Sequence, residues 1–170
     1  MAELTPQERL QPSLLDRLTD LAPNERDESR EQRVITAARL RECVTRDIAA
    51  LLNCTRQWDG ERLDELDGLD HVRNSVLNFG ISDLAGMALS GIDAGLLQER
   101  IRTALLDFEP RLIADTVQVS VSADDSRMDS RSLSFRIEAQ MWAQPMPLGL
   151  YLRTDVDLET GEFRVSQHFG

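Results

Sequence analysis

Few side chains in this sequence can do chemistry. There are two cysteines, Cys43 and Cys54, and two histidines, His71 and His168. A serine or cysteine nucleophile needs a base within hydrogen-bond reach, and no G-x-S-x-G elbow or comparable signature supplies one. Cys43 and Cys54 lie in or just past what reads as one helix, about 16 Å apart at about 1.5 Å per residue. A disulfide tolerates roughly 7 Å, so two reduced, packed thiols are expected. Neither cysteine belongs to a Cys/His pair at zinc spacing, and no cofactor motif is present.

Carboxylates are abundant, with 30 Asp plus Glu. The cluster Asp64, Glu65, Asp67 and Asp70 invites a calcium reading but fails the EF-hand template D-x-[DN]-x-[DN]-G. It reads as a solvated acidic loop. A glycosidase needs two carboxyl groups about 5 to 9.5 Å apart, one of them kept protonated. Phage-type lysozymes carry a glutamate, an Asp or Cys nine residues on, and a threonine six beyond. Glu61 with Asp70 meets the first spacing, but Val76 occupies the threonine position. That loop also lacks an apolar wall to raise a glutamate pKa.

The most unusual local sequence is Phe108-Glu109-Pro110-Arg111-Leu112. It reads two ways. Proline ends a helix, with Arg111 favourably placed near its C-terminus. Alternatively, Glu109 and Arg111, made rigid around Pro110, form an ion pair or reach across an interface as charge-assisted anchors.

Two long helices and a meander must position these residues. Ser29-Arg30-Glu31-Gln32 has the form of a capping box, and Ala37, Leu40, Val44, Ile48 and Leu51 then keep one buried face, with Arg39, Arg46 and Asp47 outside. A helix of about six turns, ending near Asn53, is expected. Residues 55 to 74 read as loop, with turn signals at Asp59-Gly60 and Asp67-Gly68. The apolar stretch 75–80 follows, then a short helix from Ser82 weakened by Gly86 and Gly91. The second long helix runs from an Asp93 cap to Phe108, with Leu97, Ile101, Ala104, Leu105 and Phe108 as its stripe.

Beyond Asp115 the period changes from 3.6 to 2. Val117, Val119 and Val121 alternate with polar residues, as do Leu133, Phe135, Ile137, Ala139 and Met141. Asp124 to Ser132 reads as a hairpin loop. Leu148, Leu150 and Leu152 form a third strand, and Glu159-Thr160-Gly161 turns into a fourth at Phe163 and Val165. Helices followed by an antiparallel sheet make the fold class α+β. Residues 1–28 read as an N-terminal arm, in which Leu14, Leu15, Leu18 and Leu21 take helical spacing. The arm is either a frayed tail or an anchor that lays leucines in a partner's groove. Residues 29–170 form the main domain.

The 170-residue length suits one domain with an arm. All 19 basic residues are arginine, and the net charge of −11 would be repelled by a phosphate backbone, so nucleic acid is not an expected partner. No apolar run reaches the roughly 18 residues of a membrane span. Met1-Ala2-Glu3-Leu4 places an acid where a signal peptide carries basic residues, so a cytoplasmic location is expected.

Four segments in order carry a resemblance: residues 12–18 (PSLLDRL), residues 41–53 (RECVTRDIAALLN), residues 75–80 (SVLNFG) and residues 108–112 (FEPRL). Together they resemble the TssE family of type VI secretion baseplate subunits, itself similar to phage tail wedge proteins of the GPW type, once labelled lysozyme-like. The resemblance covers about residues 10 to 165. It implies a structural, non-catalytic protein in a cytoplasmic baseplate with TssF, TssG and TssK, helping to start the TssB/TssC contractile sheath. The family's Glu-Pro-Arg motif maps onto Glu109, Pro110 and Arg111. Phe79 stands where the family often has tyrosine, so a role needing that hydroxyl is not carried over. A sheath strand is expected to add at an edge of the sheet, either Val117–Val121 or the strand of Phe163 and Val165, with Glu109 and Arg111 fixing orientation. On this reading, alanine at 109 or 111 lowers sheath assembly and leaves the fold intact. A peptidoglycan hydrolase and a free-standing adaptor are the alternatives.

Overall fold

Alternating apolar and polar residues build four antiparallel strands in the order β1-β2-β3-β4: β1 Gln118–Val121, β2 Ser132–Met141, β3 Leu148–Asp157 and β4 Phe163–Gln167. The computed structural model describes residues 13–19, 23–24, 35–86, 93–121, 132–143 and 146–168, apart from the side chains of Arg17, Glu61 and Asp70. The expected hairpin loop after Asp124 and the residues Leu21 and Ser29–Gln32 lie outside these. Register pairs Val119 with Ile137, Phe135 with Thr154, and Thr154 with Val165. Phe135, Ile137, Met141, Leu150, Leu152 and Val156 are fully buried on one face. Gln118, Ser120, Arg136, Gln140 and Tyr151 are exposed on the other. The α+β class expected from the change of period is what the chain adopts.

The described residues hold four α-helices. These are α1 (Leu14–Leu18), α2 (Ala37–Leu52), the single turn α3 (Asp70–Arg73) and α4 (Ala94–Phe108). α2 lies across β3 and β4, and α4 lies along β1. Their stripes, Leu40, Val44, Ile48 and Leu51 on α2 and Leu97, Ile101, Ala104 and Leu105 on α4, close the core against the sheet, while Phe108, at the end of the α4 stripe, is only half-buried. α4 begins where expected, with Asp93 Oδ1 accepting from Leu96 N–H at 3.0 Å.

α2 starts later than the Ser29 signal implies. Thr36 is extended (φ −79°, ψ 159°), and its Oγ1 accepts from Arg39 N–H, so the helix has 16 residues. Thr36 is a preferred cap residue, if one step below serine, and the extended backbone before it lets Ile35 turn into the core, where it is 7% exposed. Cys43 and Cys54 are free thiols.

The stretch read as loop is mostly turns: a 3₁₀ helix at Gly60–Leu66, then α3, then a 3₁₀ turn at Val76–Asn78. In the last of these turns the apolar residues point outward and the polar one inward. Val76 and Leu77 are 80% and 64% exposed while Asn78 is fully buried. The Asn78 side chain earns that place by accepting from Trp58 N–H at 2.9 Å and donating to the Arg73 carbonyl at 3.2 Å. The helix expected from Ser82 does not form through Gly86. Asp83 Oδ1 takes the Ala85 N–H and Gly86 N–H donates to Leu158 O, which pulls this backbone onto the sheet.

Gly80 joins this lobe to the end of α2. Ile81 N–H donates to Cys54 O and Arg56 N–H to Ile81 O, both at 2.9 Å, forming a parallel bridge between Thr55 and Ile81. The close approach requires glycine, because Gly80 has φ +117° and a Cβ there would stand 2.1 Å from the Cys54 carbonyl oxygen.

Candidate functional site

Pro110 cannot continue α4, and Glu109 becomes its C-cap with φ −118° and ψ 79°. The chain then runs onto the sheet. Trp142 N–H donates to Arg111 O and Ile113 N–H to Gln140 O, both at 2.8 Å, so Leu112 bridges Met141. Arg111 is thereby fixed between the end of α4 and the edge of β2.

Its guanidinium grips Glu109 with two bonds, Nε to Oε1 at 2.7 Å and Nη2 to Oε2 at 2.5 Å. Asp47 of α2 accepts from the same Nη2 at 2.6 Å. Arg46 donates to both Asp47 and Asp16, each at 2.7 Å, and Asp16 Oδ2 lies 3.8 Å from Arg111 Nη1. Three carboxylates from three segments thus converge on two arginines. Glu109 is 5% exposed, so its carboxylate is committed within the chain. Pro110 is exposed.

Electrostatics follow from this packing. Burial pulls the Arg111 pKa down, but Glu109 and Asp47 outweigh it and hold the guanidinium charged well above its ordinary range. For Asp16, burial pushes upward, while hydrogen bonds from Ser13, Arg46 and Cys43 overcome that and bring it to about 2. The Cys43 thiol is pushed up, first by burial and then by its bond to Asp16. The cluster holds two permanent cations in fixed orientations, an arrangement suited to recognising carboxylates.

The other expected contact residues do not gather at this cluster. Leu14, Leu15 and Leu18 on α1 are 70%, 59% and 73% exposed. Val117, Val119 and Phe163 are buried, Val165 half-buried, and Val121 39% exposed. What the two outer strands offer is backbone. Antiparallel pairing sends successive peptide groups to opposite sides, and His168 N–H donates to Tyr151 O while Phe163 N–H donates to Asn53 Oδ1. Residues 163, 165 and 167 therefore point their peptide groups away from β3. Asn53 takes both groups of Phe163, its Nδ2 donating to Phe163 O at 2.8 Å, which leaves Val165 and Gln167 facing outward. By the same alternation Val117, Val119 and Val121 face away from β2, and Arg102 Nε reaches the Val117 carbonyl at 3.4 Å. Among the described residues no strand pairs with either outer edge.

Sequence reading missed Asp16, Arg46 and Asp47 as members of the cluster. It placed Arg46 and Asp47 on the outer face of α2; Arg46 is exposed there, whereas Asp47 is half-buried against Arg111, and no local spacing links Asp47 to a residue 64 positions away. Glu61 lies in the first 3₁₀ helix and Asp70 opens α3, and their side chains lie outside the described set.

Residues 38–146 match the family of the baseplate wedge protein gp25. The chain belongs to that family. A crystal structure at 1.44 Å of a Geobacter sulfurreducens protein, labelled a tail lysozyme, is similar at 21% identity and a TM-score of 0.43, covering 71% of this chain and 92% of that one. No curated protein matches. The gp25 match takes in all but the first residue of α2, then α4, Glu109–Arg111, β1 and β2, and stops before β3. The arm helix α1 and the outer strand β4 of this gp25-family chain lie beyond it. No helix among the described residues is long and apolar enough to cross a membrane.

Proposed function

We propose that this chain is a structural subunit of a type VI secretion baseplate, of the TssE kind, which binds other baseplate subunits and helps start polymerisation of the contractile sheath. The observation that carries the reading is membership of the gp25 wedge family over residues 38–146. The partners are TssF-, TssG- and TssK-like wedge proteins and a TssB/TssC-like sheath, at a baseplate docked on the cytoplasmic side of the membrane complex, and the role involves no catalysis. In this reading the main domain, residues 29–170, presents its sheet edges to the sheath. The outward peptide groups of Val119 and Val121, or of Val165 and Gln167, accept a sheath strand by β-augmentation. Their geometry supports this, because an edge with unpaired N–H and C=O groups templates another strand. Glu109, Pro110 and Arg111 hold the sheet in register with the helices that meet the wedge. Leu14, Leu15 and Leu18, on the arm of residues 1–28, supply an apolar anchor.

Gentle purification of the C-terminally tagged chain from its own cells, followed by mass spectrometry, tests the reading. TssF-, TssG- or TssK-like proteins should come with it. Their absence, from cells shown to make them, contradicts it.

A further inference from the structure

We propose that Arg46 and Arg111 form a carboxylate-binding site that Asp16 fills in cis, and that an acidic side chain of a partner takes this site in trans and releases α1. This deepens the wedge reading, which makes the arriving carboxylate that of a baseplate protein.

Three observations support it. The first is that α1 is a five-residue helix, too short to persist alone, and its large apolar side chains face away from the body. Leu14 and Leu18 are 70% and 73% exposed, whereas the Asp16 side chain is 7% exposed. A helix that packs by its acid and displays its leucines is held by charge. The second is that the acid is shared. Asp16 Oδ2 accepts from Ser13 Oγ at 2.7 Å and from Ser13 N–H at 3.2 Å, closing a capping box, while Oδ1 takes Arg46. The third is the imperfect fit on Arg111. Nη1 is buried without a hydrogen bond among the described residues, with Asp16 Oδ2 3.8 Å away. A carboxylate free of the Ser13 cap can close that gap and bond both arginines. Asp47 and Glu109 already hold Nη2 and Nε, so the unused donor is aimed at the position Asp16 occupies.

Release would couple two surfaces. The acid that enters displaces the helix bearing Leu14, Leu15 and Leu18, so binding at Arg111 unties these already exposed leucines from the body and lets them reach a second contact. The site then reports arrival of one partner to another, by competition for the same two guanidinium groups.

The probe is the synthetic octapeptide of residues 12–19, PSLLDRLT, titrated into full-length Asp16→Ala and followed by the amide resonance of Trp142, whose N–H bonds the Arg111 carbonyl. The peptide should bind Asp16→Ala saturably and at least tenfold more tightly than it binds the wild-type chain, where Asp16 competes. The peptide with asparagine for its aspartate should give no saturable shift. Asp16→Asn, which keeps the side-chain volume, is the second variant should alanine disturb the fold. Equal binding of the two peptides, or no binding to either variant with wild-type circular dichroism, overturns the proposal. Because no baseplate protein is present, that failure is distinct from a failure to recover baseplate partners from cells.

Discussion

Gly80→Ala is expected to destabilise the chain by about 4 kcal/mol or more, the range that marks a specific structural failure. Two costs combine. With φ at +117°, Gly80 occupies backbone space that residues with a Cβ rarely enter, and that Cβ would sit 2.1 Å from Cys54 O and 2.7 Å from Cys54 C. The obstacle is backbone at the end of α2, where a side-chain rotation offers no relief. Relief requires breaking the Cys54–Ile81 and Ile81–Arg56 bonds that tie residues 59–79 to the core. Gly68 is the control. It has φ +76° and nothing within 4 Å of an added Cβ, so alanine there costs only the roughly 1–2 kcal/mol of a left-handed residue. Urea midpoints of the two variants check this, and equal midpoints would show that the crossing at Cys54 is loose.

Glu109→Ala is expected to cost about 3 kcal/mol, the lower end for breaking a buried ion pair, and so to lower the unfolding midpoint by roughly 10 °C in a domain of this size. The lower end applies because Arg111 keeps Asp47 and its side chain is 20% exposed. Arg111→Ala removes more. It takes both side-chain bonds from Glu109, which keeps only the N–H of residue 111 on Oε1 at 3.2 Å, and it also strips Asp47 of its 2.6 Å bond. Its melting temperature should therefore fall at least as far as that of Glu109→Ala. A smaller fall would mean that the two carboxylates find other partners. Both results bear on the motif's role, because alanine at either position alters stability as well as any interface. The expectation that alanine at 109 or 111 leaves the fold intact is checked by circular dichroism of both variants beside these melts. Arg111→Lys, which keeps the charge and loses the two-pronged grip, separates the two effects better.

Elements whose signal is local were legible in the sequence. The strands follow from strict alternation at Val117–Val121 and Leu133–Met141, and α4 from an Asp93 cap at one end and Pro110 at the other. The start of α2 was not, because Ser29 and Thr36 are both capping residues and only tertiary packing of Ile35 chooses Thr36. Buried Asn78 beside exposed Val76 and Leu77 inverts the usual pattern, since the amide satisfies two turn backbones that no spacing rule places together. Glu109 and Arg111 stood out through the proline between them. Asp16, Arg46 and Asp47 did not, because the cluster forms from separate segments only after the helices pack. The requirement for glycine at 80 is equally invisible from Phe79-Gly80-Ile81 alone, since it depends on which backbone crosses there.

The central claim is that an outer strand of the sheet seeds the sheath, and proline tests it directly. Val121 and Val165 carry outward N–H groups, so proline at either removes a donor to an incoming strand without taking a bond from the β1–β2 or β3–β4 ladder. The measurement is the number of fluorescent sheaths per cell for Val121→Pro and Val165→Pro, with circular dichroism of each purified variant. The account predicts wild-type folding with at least a tenfold loss of sheaths for one of the two. Wild-type sheath numbers in both folded variants would contradict it.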